Sequence, residues 1–126
     1  MENYLKEIEK IISNLEESFL LDESPVIKEI ASRDLAYLMK LLIHALMEYG
    51  KKENLGVFDV VSCFRIAQSL KIIEYHPYWE ELIQISQMDL VCEKIPDFKE
   101  KIYLKIPEYL PLIKGSLEKI KILCKI

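Results

Sequence analysis

Threonine is absent from these 126 residues, and asparagine, glutamine and glycine occur only three times each. Isoleucine and leucine supply eighteen positions each and Lys plus Glu another thirty-one, so almost every residue either favours a helix or packs a core. That balance predicts an all-α chain. The glycines Gly50, Gly56 and Gly115 stand in neither a P-loop nor a dinucleotide-binding pattern, which argues against an ATPase or a dehydrogenase. Cysteine is scarce and odd in number: Cys63, Cys92 and Cys124 are widely spaced, which suits reduced thiols in a cytoplasm better than a disulfide framework. With His44 and His76 they form neither C-x-x-C nor H-x-x-x-H, so no metal site and no cofactor is expected. No apolar run approaches the ~18 residues of a membrane span, and MENYLKEIEK lacks the basic and apolar regions of a secretory leader. Cationic excess is missing too. A formal charge of −4 disfavours a free-standing, nonspecific nucleic-acid binder, because phosphate binding draws on Lys and Arg, and leaves only a local basic patch open. High Ile, Glu and Lys with few amides fits a heat-adapted protein and equally an AT-rich genome.

At 51% hydrophobic residues, 1–126 can bury one core as a single domain, expected to be a compact orthogonal or irregular bundle of five to six helices. Tyr4, Ile8, Ile11, Leu15 and Phe19, with Leu5 and Ile12 beside them, predict one amphipathic helix from Asn3 to Leu21. Ser24 caps the next helix and Pro25 fits its first turn. This helix reads to Tyr49, either continuous or broken near Ser32 to Asp34, with Gly50 as the left-handed residue after it. From Leu55 to Ile73 apolar residues go almost all the way round, which predicts a central, mostly buried helix with a polar seam of Ser62, Arg65 and Ser69. Pro77 starts a fourth helix, to about Cys92, with Glu80 and Glu81 at its positive end. Lys94-Ile95-Pro96-Asp97-Phe98 and Lys105-Ile106-Pro107-Glu108-Tyr109 each read as a fresh helix start, the first with a capping box from Asp97 and Glu100. Pro107 and Pro111 predict a short or kinked segment, and Gly115-Ser116 a last helix.

Few residues invite chemistry. The pairs Glu16-Glu17 and Glu80-Glu81 diverge by about 100° on a helix and so are solvated faces, not an acid and base sharing a proton. His44, with apolar neighbours on both sides, reads as a packed or hydrogen-bonded histidine, and Cys63 and Cys124 as small core residues. Arg65 and His76 are eleven positions apart across an expected helix break, a poor match to the Arg and His of HEPN-type ribonucleases. Asp59 to Ser86 can be drawn as helix-turn-helix, but Glu80 and Glu81 would then meet phosphates. The remaining candidates are Lys51, Lys52 and Arg65 for phosphate, and Tyr78 and Trp79 of His76-Pro77-Tyr78-Trp79, whose rings either stack on a base or anchor a partner. For Trp79, burial at the rim of the core beside Tyr75 is the reading favoured over stacking, because tryptophan is usually heavily buried.

The stretch Ile43 to Gly56, IHALMEYGKKENLG, resembles the region of archaeal and eukaryotic primase large subunits where an apolar helix ends in a basic turn and then Asn-Leu. Pro96-Asp97-Phe98-Lys99-Glu100 with Tyr103 and Ile106 is similar to a Pro-Asp-Phe pattern later in the same helical module. The two segments cover under a quarter of the chain. That module holds an iron–sulfur cluster through four cysteines, for which three are too few, and its nucleotide-contacting His and Arg are replaced by Val57, Phe58 and Asp59. The resemblance therefore implies the small cluster-free accessory subunit of some archaeal primases. It leads to an expectation of a non-catalytic accessory subunit in a nucleic-acid-processing complex, with other protein subunits as partners and DNA, RNA or nucleotide contacted within the assembly. A purely structural partner, such as the small helical subunit of a CRISPR effector or a viral or host-defence factor, is the alternative. An enzyme without a recognisable motif ranks last.

Overall fold

A computed structural model describes residues 2–20, 24–56, 59–87 and 96–124. Regular structure among these residues is entirely helical: α1 (Glu2–Ser18), α2 (Pro25–Lys52), α3 (Val60–Ser69), α4 (Tyr78–Gln87) and α5 (Pro96–Cys124). Cys92, the segment 88–95 into which the sequence extends α4, and the side chain of Asp97 with its expected capping box lie outside the described residues.

α1 buries the face its periodicity predicts, with Leu5, Ile8, Ile11, Ile12 and Leu15 in the core and Tyr4 and Phe19 partly covered. α2 starts as expected, the Ser24 hydroxyl accepting the Ile27 N–H at 3.1 Å and Pro25 occupying the first turn. The helix then runs unbroken for 28 residues. At Ser32 the hydroxyl donates to the Lys28 carbonyl at 2.8 Å, so the polar side chain is satisfied within the helix instead of capping a new one. Gly50 is not the left-handed residue. It lies buried inside the last turn, and that conformation falls at Asn54 (φ 54°), where Leu55 donates to the Gly50 carbonyl and Asn54 to that of Lys51. Lys51 and Lys52 prolong the helix because both are good helix formers and their charge complements its negative end.

The central, buried helix expected from Leu55 to Ile73 is instead a peripheral one of ten residues. Asp59 starts it through a reciprocal cap, its carboxylate accepting the Ser62 N–H at 2.8 Å while the Ser62 hydroxyl accepts the Asp59 N–H at 3.1 Å. Lys71 at φ 59° ends it, with Ile72 donating to Ala67 and Lys71 to Gln68. Only Cys63, Phe64 and Ala67 are buried, and Val61 is 56% exposed. The central place belongs to α2, whose length lets it pack against α1, α3, α4 and α5.

α5 overturns the second fresh start and the separate last helix, because Pro107, Pro111 and Gly115-Ser116 all lie within one 29-residue helix. Each proline removes one helical hydrogen bond at a cost of about 3 kcal/mol. Both sit on the exposed side of the helix, away from the core. The opposite side buries Ile102, Tyr103, Ile106, Tyr109, Leu110, Ile113, Leu117 and Ile120. At about 1.5–3 kcal/mol per buried large side chain, that face outweighs the two breaks.

Directions follow from the contacts. α1 runs antiparallel to α5, pairing Glu9 with Lys121, Glu16 with Lys114, and stacking Phe19 on Tyr103 at 4.7 Å. α2 and α5 run the same way, with Lys28 bonded to Glu100 near their starts and Leu46 and Tyr49 beside Ile120, Leu123 and Cys124 near their ends. α4 returns antiparallel to α5, and α3 is held to it through Phe64 and Trp79, 5.9 Å apart. No helix among the described residues is long and apolar enough to cross a membrane.

Candidate functional site

Five side chains carry the sequence-level expectation of ligand contact, and the fold does not gather them. Trp79 is 3% exposed and packed on Phe64, so its ring belongs to the core and presents no face for stacking on a base. This is the burial that the usual enclosure of tryptophan favours. Tyr78 points to α5: its hydroxyl donates to Glu108 at 3.0 Å, its ring meets Tyr109 edge-on at 5.4 Å, and Lys105 approaches the ring at 5.4 Å. Lys51 and Lys52 are exposed at the end of α2, and Arg65 is exposed on α3, where its charge helps the Ser62 bonds lower the Asp59 carboxyl. His44 also departs from expectation. It is exposed, with its ring stacked 6.2 Å from that of Tyr4.

What the fold does assemble is a groove between α4 and α5 of about 280 Å³, lined by Glu81, Gln84, Ile85, Lys101, Ile102, Leu104, Lys105 and Tyr109. Its floor is apolar and its edge carries a polar chain. The Glu81 carboxylate accepts from Lys105 at 2.5 Å and from the Tyr109 hydroxyl at 3.5 Å. The bond to Glu81 holds the Lys105 ammonium above its ordinary range. Burial, reinforced by the Glu81 charge, pushes the Tyr109 phenol far up, and the bond to Glu108 raises Tyr78. All three shifts keep the lysine charged and the tyrosines neutral, so these groups stand as hydrogen-bond donors along the edge of the groove. At the other end of α4, His76 fastens the helix start, its Nδ1 accepting the Tyr78 N–H at 3.1 Å. The thiols are equally quiet: burial pushes Cys63 up to about 11, and desolvation raises Cys124 as well, against the opposing charge of Lys52.

Sequence reasoning missed Glu81, Lys105, Glu108 and Tyr109 as a group. Their partners are 24 to 30 residues apart in the chain, and no local spacing announces such pairs. Among the described residues no three His, Cys, Asp or Glu side chains meet as a metal site requires. No family model matches this chain, and no curated protein or solved structure does either.

Proposed function

We propose that this protein is a non-catalytic helical accessory subunit of a cytoplasmic nucleic-acid-processing assembly, in its sharpest form an aid to primer synthesis by an archaeal-type primase. The observation that supports the reading is the state of its cations. Lys28, Arg33, Lys105, Lys114, Lys119 and Lys121 are tied to carboxylates. Lys51, Lys52 and Arg65 stand exposed without an ion pair among the described residues. Cations of this kind exchange their counterion atmosphere for phosphate at little cost, even in a chain of net charge −4. The test is binding to a primer–template or nucleotide, alone and with a co-purified partner. Weak affinity that falls with added salt and with Lys51→Ala plus Lys52→Ala is expected, and binding that ignores salt rejects the reading.

A second reading, a purely structural interaction subunit, is favoured by a different observation: Leu20, Val26, Leu104 and Ile122 are 60% or more exposed. It predicts a stable oligomer or partner complex. A strictly monomeric particle with nothing co-purifying counts against it.

A further inference from the structure

We propose that a single strand of nucleic acid lies along the outward face of α2, its bases on Tyr37 and His44 and its phosphates on Arg33, Lys40 and Lys51. The inference rests on the nucleic-acid reading above, with which it shares Lys51, and adds Lys40, which is likewise exposed. At 100° per residue, Arg33, Lys40 and Lys51 fall within about 20° of one another around the helix, with His44 about 20° and Tyr37 about 40° to one side of Arg33. All five residues are exposed, although α2 is otherwise the most enclosed helix of the fold. The cation row spans about 27 Å at the helical rise of 1.5 Å per residue.

These cations and rings differ in kind from an ordinary solvated face. Tyr37 leaves 51% of its surface in water and so adds little to the core, where a Lys or Glu would serve solubility better. His44 is held by its stack on Tyr4, with ring planes 13° apart, which carries the line of rings across to α1. Lys40 and Lys51 have no carboxylate partner among the described residues. Arg33 is bonded to Glu29 at 2.8 Å while half its side chain remains in solvent, so a phosphate oxygen replaces the carboxylate without moving the helix. The acid Glu48 lies on the far side of the rings from the cations by about 60°. Rings beside cations are the pattern by which single strands are held irrespective of sequence, the π faces taking bases and the charges tracking the backbone. An acidic peptide would use the cations and leave the rings idle.

The experiment is fluorescence anisotropy of a labelled oligothymidine of about twenty nucleotides with the full chain at several salt concentrations. Circular dichroism confirms that each variant folds, which exposed positions permit. Tyr37→Phe is expected to bind like the parent, Tyr37→Ala to weaken binding about tenfold, and Lys40→Glu to weaken it and flatten the salt dependence by one to two phosphates' worth. Binding that survives both Tyr37→Ala and Lys40→Glu overturns this surface and leaves the nucleic-acid reading standing. Loss with Lys40→Glu but not Tyr37→Ala, with equal competition by polyglutamate, also overturns it in favour of an acidic peptide. No binding of the oligonucleotide by the parent, alone or with its partner, overturns this surface, and no binding of a primer–template either removes the reading it rests on.

Discussion

Trp79 contributes by its burial. The ring fills the space between α3 and α4 against Phe64, and a truncation leaves a cavity that rigid helices close poorly. Trp79→Ala is expected to cost about 3–5 kcal/mol of unfolding free energy in a urea titration. A loss below about 1 kcal/mol would remove the ring from the core. The local sequence favours burial for this residue, as for most tryptophans, but a Tyr-Trp pair after His-Pro also suits an exposed platform. What decides is Phe64, fifteen positions back, which the chain brings alongside only when it has turned at Lys71. Cys63 tells the same story at smaller scale, a thiol made inert by where its helix lands.

Among elements, α3 and α5 show how local signals compete. Asp59 and Ser62 start α3 by mutual hydrogen bonds, and these bonds from Ser62 hold the Asp59 carboxyl below the ordinary carboxylate range. A folded-state value below the unfolded one means that the cap is fully effective above the ordinary carboxylate range. Its stabilisation is lost as pH falls through the lowered value. Acid titration followed by Trp79 fluorescence is expected to show loosening of α3 in that window, and Asp59→Asn, which keeps the acceptor without the ionisation, to flatten it. In α5 the punctuation of Pro107, Pro111 and Gly115 is overridden by burial on the opposite face. Gly115 is helical, exposed and has open space where a side chain would begin. Gly115→Ala is therefore expected to raise stability by about 0.5–1 kcal/mol, read as a higher thermal midpoint. A lowered midpoint would show that the helix does not continue through this position.

At the scale of the whole molecule, five ion pairs fasten α5 to its surroundings: Lys28 to Glu100, Glu81 to Lys105, Glu16 to Lys114, Glu74 to Lys119 and Glu9 to Lys121. All are partly solvated. Pairs of this kind contribute about 0–1 kcal/mol each, so they select the register of α5 more than they hold the bundle. Raising sodium chloride from about 0.05 M to about 1 M is expected to move the thermal midpoint by no more than about 5 °C, because the apolar core is not screened. A collapse of the fold in salt would assign the stability to charge.

Helix class, the buried face of α1 and the Ser24-Pro25 start of α2 were written in the chain itself, because each depends on spacing within a turn or two and on the chemistry of single residues. The continuity of α2 and α5, the outlying place of α3 and the enclosure of Trp79 were decided by packing. There the free energy of covering a whole helix face exceeds the cost of one glycine or two prolines. The α4–α5 groove belongs to the same class, since Glu81, Lys105 and Tyr109 become neighbours only when two antiparallel helices are laid together. The outward cations and rings of α2 fall between: their spacing is legible, but which face of a long helix meets water depends on the four helices around it.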